Sequence, residues 1–286
     1  MEFEKEHLYF VSIDSDGCVF PTMEVKQKMC IHPEILRQWN LWVIEKEVRM
    51  VAEWVTLYSV HRGSNRFIAL RLIFDLLREM LVVRQKGVSI PDTEPLQHYI
   101  NSGIPVSSSY IREYTYQHPE MRSFLEWNER IDADIARRVK NVKPFSYVKK
   151  CLQRLCDSAD CVVVSTTPSE ALRREWKQNS LSRYVKLICG GEMGSKSEQI
   201  RRITEGKYHG THILVIGDSP VDLKAAEENS ACFFPITPGE EEESWEYFYR
   251  ETLDKFLKGG YTQQYQNLLI EKFNKLLPKD PPWRTC

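Results

Sequence analysis

Hydrophobic and polar positions follow a helical spacing through the first half of the chain. From residue 31 to residue 138, apolar side chains recur every three or four residues, as at Ile35, Trp39, Val51 and Phe74. The turn-forming sequence HRGSN (61–65) separates two such stretches. Residues 91–109, rich in proline, serine and glycine, are predicted to form a loop before further helix. We therefore predict an all-helical region whose tryptophans belong to its core.

After residue 144 the spacing changes to short apolar runs that alternate with helical stretches. Predicted strands cover 161–165, 185–189, 212–217 and 232–236, and predicted helices cover 145–156, 169–178, 196–205 and 221–228. Such alternation implies right-handed βαβ crossovers and a parallel sheet with helices on both faces. The apolar run at 8–13 must join this sheet, since a lone strand cannot bury itself.

The predicted fold is thus α/β, with a Rossmann-like parallel sheet core and an inserted all-helical domain. The core is expected to comprise residues 1–20 and 142–240, and the insertion residues 21–141. Residues 241–286 are expected to form a C-terminal helical extension and tail.

The composition of the chain argues against two classes of binding partner, nucleic acid and membrane. The 286 residues include 39 Lys and Arg and 40 Asp and Glu, a formal net charge of −1, which argues against a general nucleic-acid binder. No run of about 18 apolar residues is present, so no membrane partner is expected. The acidic beginning MEFEKE is unlike a secretion signal, so we expect a cytoplasmic protein. The sequence leaves the oligomeric state open.

The eight cysteines do not have the spacing of a zinc site. No Cys-x-x-Cys pair has a matching partner pair, and several cysteines lie in apolar runs, such as Cys161 and Cys232. We expect small buried thiols in a reducing compartment.

Acids, hydroxyls and a lysine follow the predicted strands. Parallel strands have their carboxyl ends at one edge of the sheet, where chemistry gathers. The residues at or near those ends are Asp14, Asp16, Ser165, Thr166, Lys196, Asp218 and Asp222. Clustered carboxylates repel one another unless a hard cation such as Mg²⁺ binds them, and a lysine and hydroxyls complement phosphoryl oxygens. Each element alone is a common turn or helix cap, but together they predict a phosphoryl-transfer site.

Four segments, in order, carry a family resemblance: FVSIDSDGCVF, CVVVST, GSKSEQI and HILVIGDSPVD. They resemble the four motifs of the haloacid dehalogenase superfamily of phosphohydrolases. The helical insertion falls between the first and second motifs, where members of that superfamily carry a C1 cap. The sequence departs from the family pattern at Cys18, where Thr or Val is common, and we expect the cysteine to be tolerated.

The resemblance implies a role for each of these residues. Asp14 would be the nucleophile, and Asp16 would protonate the leaving oxygen and then activate water. Mg²⁺ would be held by the Asp14 carboxylate, the Asp16 carbonyl and Asp218. The phosphoryl oxygens would be bound by Ser165, Thr166 and Lys196, and Asp222 would support the metal or Lys196.

The resemblance implies a Mg²⁺-dependent phosphatase that acts on a small phosphorylated metabolite through an aspartyl-phosphate. Two alternatives stay open: a phosphosugar mutase of the same fold, and a relative that binds ligand without turnover. Asp16 favours phosphoryl transfer, because members that cleave carbon–halogen bonds generally lack it. In the insertion, Arg62, Asn65 and Arg66 are candidates for substrate contact, although solvated arginines in a surface turn explain them equally well.

Overall fold

The computed structural model describes residues 3–104 and 108–284, which divide into two compact units. The first, here called the α/β unit, contains Met1–Thr22 and Asn141–Pro278. The second, the helical unit, contains Met23–Lys140 and Lys279–Cys286. The sequence predicted one extension over 241–286, whereas the structure groups the segment after Pro278 with the helical unit.

The α/β unit is built on a parallel sheet. Its strands are β1 (Tyr9–Ile13), β2 (Ala159–Val164), β3 (Leu187–Cys189), β4 (Ile213–Gly217) and β5 (Cys232–Pro235). Their order is β3-β2-β1-β4-β5, and every neighbouring pair is parallel. The first strand in sequence is therefore central, with β2 on one side and β4 on the other. The predicted α/β fold with a parallel sheet is confirmed.

Strands β1, β2 and β4 carry buried apolar side chains on both faces of the sheet. Along β1, Val11 and Ile13 belong to one buried cluster, whereas Phe10 belongs to the cluster on the opposite face. Burial on both faces explains why these strands read as continuous apolar runs without a polar alternation.

Helices of the α/β unit follow its strands and continue beyond the last one. Numbered in chain order after the eight α-helices that the structure describes in the preceding region, they are α9 (Val148–Leu155), α10 (Ser169–Gln178), α11 (Lys196–Thr204), α12 (Pro220–Glu228), α13 (Glu241–Tyr247), α14 (Leu253–Leu257) and α15 (Gln263–Lys275). A π turn over Phe248–Thr252 joins α13 to α14. Ser195 caps α11 through a capping box with Glu198, and Ser219 caps α12.

Residues 22–138 form the remaining helices. They are α1 (Thr22–Lys26), α2 (His32–Gln38), α3 (Glu45–Leu57), α4 (Arg66–Glu79), α5 (Leu81–Gln85), α6 (Glu94–Asn101), α7 (Ser108–Gln117) and α8 (Arg122–Arg138). Their apolar faces share one buried cluster that includes Val51, Phe74 and Trp127. The C-terminal segment adds to this unit, because the Trp283 ring packs edge-on against Trp54 at 5.6 Å.

The prediction of a loop over 91–109 is wrong for residues 94–101 and for residues 108–109, which begin α7, while residues 105–107 lie outside the described residues. Helix α6 occupies Glu94–Asn101, with Pro95 in its first turn, where the missing N–H of proline costs no helical hydrogen bond. Leu96 and Tyr99 are fully buried, so tertiary packing stabilises a helix that local composition did not indicate.

Among the residues described, none of the helices combines the length and the apolar character that crossing a bilayer requires.

Candidate active site

Three strand ends bring polar residues to one edge of the sheet. Asp14 follows β1, Ser165 follows β2, and Asp218 follows β4. The Asp14 amide donates to the Ile216 carbonyl at 3.0 Å, which continues the sheet pairing past the end of β1. Because β1 lies between β2 and β4, Asp14 is in the middle of this edge.

The residues after Asp14 fold into a closed turn, here called the nucleophile loop (14–20) after the role that the sequence resemblance implies for Asp14. The amides of Val19 and Phe20 donate to the Ser15 carbonyl at 2.9 and 3.0 Å, and the Gly17 amide donates to the Phe20 carbonyl at 2.8 Å. Gly17 has φ of +79°, a conformation that glycine adopts without strain. The turn buries both of the acids that open it, with Asp14 5% and Asp16 8% exposed.

Asp14, Asp218 and Asp222 form a buried carboxylate cluster. One oxygen from each lies within 4.8 Å of the others, and all three side chains are buried. The ammonium of Lys196, at the start of α11, lies 3.0 Å from Asp14 Oδ1 and 2.6 Å from Asp222 Oδ1. Lys196 thus joins two of the three acids of this cluster, all of which sequence analysis singled out.

The cluster sets the charge of Lys196. Burial by itself lowers the pKa of Lys196, but the carboxylates of Asp14 and Asp222 outweigh it and hold the pKa above its ordinary value. Burial raises the pKa of Asp222, an effect that Lys196 partly offsets. Ser219 also donates to Asp222 Oδ2 at 2.5 Å. The lysine is therefore a fixed positive charge at this edge of the sheet.

Asp16 points toward two hydroxyl groups. Thr22 donates to Asp16 Oδ1, and Thr167 donates to Asp16 Oδ2 at 2.7 Å. Sequence analysis did not single out either threonine. Thr167 is the third hydroxyl residue of the run Ser165-Thr166-Thr167, and nothing in that run distinguishes it from its neighbours.

The two predicted phosphate-binding hydroxyls have different surroundings. Ser165 is buried, and its Oγ accepts from the Thr167 amide at 3.4 Å. Thr166 is exposed to solvent. The turn after β2 therefore presents Ser165 and Thr167 inward and Thr166 outward.

Cys18, the departure from the family pattern, fits inside the nucleophile loop. Its side chain is fully buried, and Sγ donates to the Ile216 carbonyl at 3.8 Å. Burial, reinforced by the charges of Asp14 and Asp218, raises the pKa of Cys18 well above its ordinary value. The thiol therefore stays protonated and packs as a small apolar group.

The three candidates in the helical unit have partners within that unit. Arg62 is buried and donates to the Leu57 carbonyl at 3.0 Å. Asn65 caps α4 by accepting from the Phe67 amide at 3.0 Å, and Arg66 pairs with Asp132 at 2.7 Å. These contacts give each residue a structural role, and substrate contact stays a prediction.

The donor set at the sheet edge fits a divalent cation. Asp14, Asp218 and Asp222 carry three negative charges when ionised, and Lys196 supplies one positive charge, so these four groups sum to −2. Buried carboxylates of like charge are stable together only when a cation or a proton compensates them. Oxygen donors of this kind suit Mg²⁺.

Comparison with known proteins identifies the family. A sequence model of the haloacid dehalogenase-like hydrolases matches residues 71–234, more than half of the chain. The chain therefore belongs to the haloacid dehalogenase-like hydrolase family, which confirms the resemblance and the hydrolase class. The matched residues include Ser165, Lys196, Asp218 and Asp222, whereas the nucleophile loop precedes them. A search of curated protein sequences finds no significant match.

Solved structures resemble this chain to different degrees, all at low sequence identity. A haloacid dehalogenase-like hydrolase from Bacteroides fragilis is 13% identical with a TM-score of 0.53, over 84% of this chain and 93% of that chain. A haloacid dehalogenase-like family protein from Streptococcus pneumoniae is 14% identical with a TM-score of 0.43, over 85% and 91%. A predicted phosphatase from Clostridium acetobutylicum is 14% identical with a TM-score of 0.46, over 86% and 99%. The first of these supports the fold assignment.

Proposed function

We propose that the protein is a Mg²⁺-dependent phosphatase that hydrolyses a small phosphorylated metabolite through an aspartyl-phosphate. The observation that carries this proposal is the juxtaposition of Asp14, Lys196 and Asp222 with Asp218 at the carboxyl edge of the sheet. A nucleophilic carboxylate, a fixed cation and a metal-binding acid are the parts that phosphoryl transfer requires.

In the first half-reaction, a carboxylate oxygen of Asp14 attacks phosphorus in line with the leaving oxygen. The new O–P bond forms as the bond to the leaving group breaks, and Asp16 donates its proton to the leaving oxygen. Proton transfer of this kind contributes about 10²–10⁴-fold to rate. Lys196 and the Ser165 hydroxyl bind the phosphoryl oxygens, and the 3.0 Å contact from Lys196 to Asp14 supports this placement.

In the second half-reaction, Asp16, now ionised, removes a proton from a water molecule that attacks the aspartyl-phosphate. The O–P bond to Asp14 breaks, inorganic phosphate leaves, and Asp16 has regained its proton. The hydrogen bonds from Thr22 and Thr167 support this role, since they hold the Asp16 carboxyl group in one orientation.

Mg²⁺ would be held by the Asp14 carboxylate, the Asp16 backbone carbonyl and Asp218. When bound, it neutralises phosphoryl charge and fixes the geometry of attack. Asp222 would hold Lys196 in place, which the 2.6 Å ion pair supports.

We further propose that the helical unit is a cap that selects a small substrate and excludes water from the site. Its insertion directly after the nucleophile loop supports this role. Arg62, Asn65 and Arg66 remain the candidates for substrate contact. Substitution of Arg62 or Arg66 by alanine would then lower kcat/KM on the true substrate.

The experiment that tests the proposal is phosphate release from sugar phosphates, nucleotides, phosphoacids and an aryl phosphate, with Mg²⁺ and with chelator. Wild type, Asp14→Asn and Asp157→Asn are compared, since Asp157 is an exposed acid of the same unit and a matched control. We expect Mg²⁺-dependent release that Asp14→Asn abolishes and Asp157→Asn leaves unchanged.

Release that survives Asp14→Asn would contradict the proposal. If the folded wild type releases no phosphate from any compound, the hydrolase is excluded for those substrates. An assay that resolves the positional isomers of the sugar phosphates would then distinguish a mutase from a protein that only binds ligand.

A further inference from the structure

Two buried tryptophans donate hydrogen bonds to the nucleophile loop from different elements. Trp176 of α10 donates through its indole N–H to the Ser15 hydroxyl at 3.0 Å. Trp245 of α13 donates to the Cys18 carbonyl at 2.7 Å. Both side chains are fully buried.

The bond from Trp245 reaches the backbone of the loop, two residues from Asp16. In the part of the chain that the structure describes, no second donor reaches the Cys18 carbonyl. A buried carbonyl without a donor is costly, so loss of the indole N–H would drive this peptide to reorient. The Cys18 carbonyl and the Val19 amide belong to one peptide group, so reorientation would also break the bond from Val19 to the Ser15 carbonyl and loosen the turn that contains Asp16.

Helix α13 is anchored well enough to position a loop. The Ser244 hydroxyl accepts from the Thr237 amide at 3.0 Å, and Glu242 accepts from the Ser146 amide at 2.6 Å. The Trp245 carbonyl accepts from the Cys151 thiol at 3.7 Å, and its ring packs edge-on against Phe248 at 5.8 Å. The helix thus holds the indole N–H of Trp245 in a fixed position, from which it donates to the loop.

We propose that Trp245 is a positioning residue for the reaction, which gives helix α13 a role in shaping the site. This inference rests on the proposed function for its kinetic consequence. Helix α13 lies beyond the residues matched by the family model, 71–234.

Trp127 of the helical unit provides a matched control. It is also fully buried, but its indole nitrogen has no hydrogen-bond partner among the described residues. Trp127→Phe therefore removes the same atoms from a core as Trp245→Phe without breaking a hydrogen bond. The difference between the two variants contains the bond to Cys18 and the ring volume lost beside the loop, and 3-benzothienylalanine at position 245, which keeps the ring, separates the two effects.

The test measures amide hydrogen exchange over residues 15–20, together with kcat and KM with Mg²⁺ on the best substrate of the panel. For Trp245→Phe we expect about tenfold faster exchange in the loop, the effect of losing one hydrogen bond to a buried group. We expect kcat to fall by about ten- to a hundredfold with KM within about twofold, because small misplacement of a reacting group is costly. Trp127→Phe should leave both quantities within about twofold of wild type.

Equal exchange and equal kcat in the two variants would overturn the inference. If wild type releases no phosphate, the proposed function fails, and exchange alone still decides whether Trp245 holds the loop. If Trp245→Phe does not fold, 3-benzothienylalanine at position 245 keeps the ring shape and removes only the N–H donor. Loop exchange no faster than wild type in that protein would equally overturn the inference.

Discussion

At the scale of single residues, Asp16 is held by two hydroxyl groups that approach its two oxygens separately. Thr22 comes from the end of the first chain segment, and Thr167 comes from the turn after β2. A carboxyl group with a donor at each oxygen cannot rotate without breaking one of the bonds. Its direction is therefore set before any substrate arrives, as the acid–base role proposed for Asp16 requires.

Removal of either hydroxyl should slow turnover. We expect Thr167→Val and Thr22→Val each to lower kcat by about tenfold, with little change in KM, because Asp16 loses its fixed orientation. Thr167→Ser and Thr22→Ser keep a hydroxyl and serve as controls that retain most of the activity. Steady-state kinetics on the best substrate of the panel measure the effect, and valine variants as active as wild type would exclude this role.

His32 makes the helical unit sensitive to acid. Its side chain is fully buried, and Nε2 lies 3.3 Å from Thr56 Oγ1. Since Thr56 donates its own proton to the Ala52 carbonyl, Nε2 must be the donor to Thr56. Burial, with smaller effects from Arg49 and Lys28, lowers the pKa of His32 to about 3.

A pKa lower in the folded state than in the unfolded state means that the unfolded chain binds more protons in acid. The stability that neutral His32 contributes is fully present above about pH 6.5 and is lost as the pH falls from 6.5 toward 3. The free energy of unfolding should fall there by up to about 1.4 kcal/mol per pH unit. Denaturant unfolding of wild type and His32→Gln between these limits measures the slope, which the substitution should flatten. His98→Gln, at an exposed position, should keep the wild-type slope.

Site residues could be predicted from the sequence where they directly follow a parallel strand. Asp14, Ser165 and Asp218 directly follow apolar strands, and parallel strands bring their carboxyl ends together. Thr22, Thr167 and Trp245 could not be predicted in this way, because their roles depend on turns and side-chain directions that apolar spacing does not encode. Trp245 in particular lies in a helix that follows the last strand, where the sequence indicated only an extension.

At the scale of elements, the junction between β4 and α12 leaves no room for a side chain at Gly217. A Cβ atom built there would lie 2.2 Å from Cγ of Asp222, in the first turn of α12. The absence of a side chain at the end of β4 therefore lets α12 bring Asp222 against Lys196.

Gly217→Ala should destabilise the α/β unit and disturb the site together. Overpacking at a buried position costs about 1–3 kcal/mol, and here the nearest atoms belong to a residue bound by Lys196. Gly260→Ala is the control, since its nearest contact is 3.5 Å and a Cβ fits. Denaturant unfolding gives the stability change, and a Gly217→Ala protein as stable as the control would contradict this packing.

Strands and helices could be predicted where the local pattern of apolar residues matches the residues that are buried in the structure. Strands β1, β2 and β4 were predicted because they are buried on both faces and are therefore mostly apolar, with Ser12 and Asp160 as polar exceptions. Helix α6 was not, because proline, serine and glycine nearby favoured a loop, and only the burial of Leu96 and Tyr99 in the helical unit explains it.

At the scale of the whole molecule, the buried carboxylates should couple stability to Mg²⁺. A cation that binds only the folded chain stabilises it by about 2.7 kcal/mol at a hundredfold excess over its Kd. Thermal unfolding should therefore shift upward in Mg²⁺ by several degrees in wild type and in Asp157→Asn. The shift should vanish in Asp218→Asn, and an unchanged shift there would show that the ion binds elsewhere.

The division into units has a consequence for biosynthesis. Tyr9 of β1 pairs with Ala159, and Phe10 pairs with Ile213, so the central strand emerges from the ribosome long before either neighbour exists. The helices of residues 23–140 are translated in between and can collapse while β1 still has two unpaired edges. Contacts this distant in sequence slow folding, and the nascent chain passes through a stage at which both edges of β1 are open to aggregation. The strand that leads into Asp14 is thus paired on both sides only after residues 159–164 and 213–217 have been made.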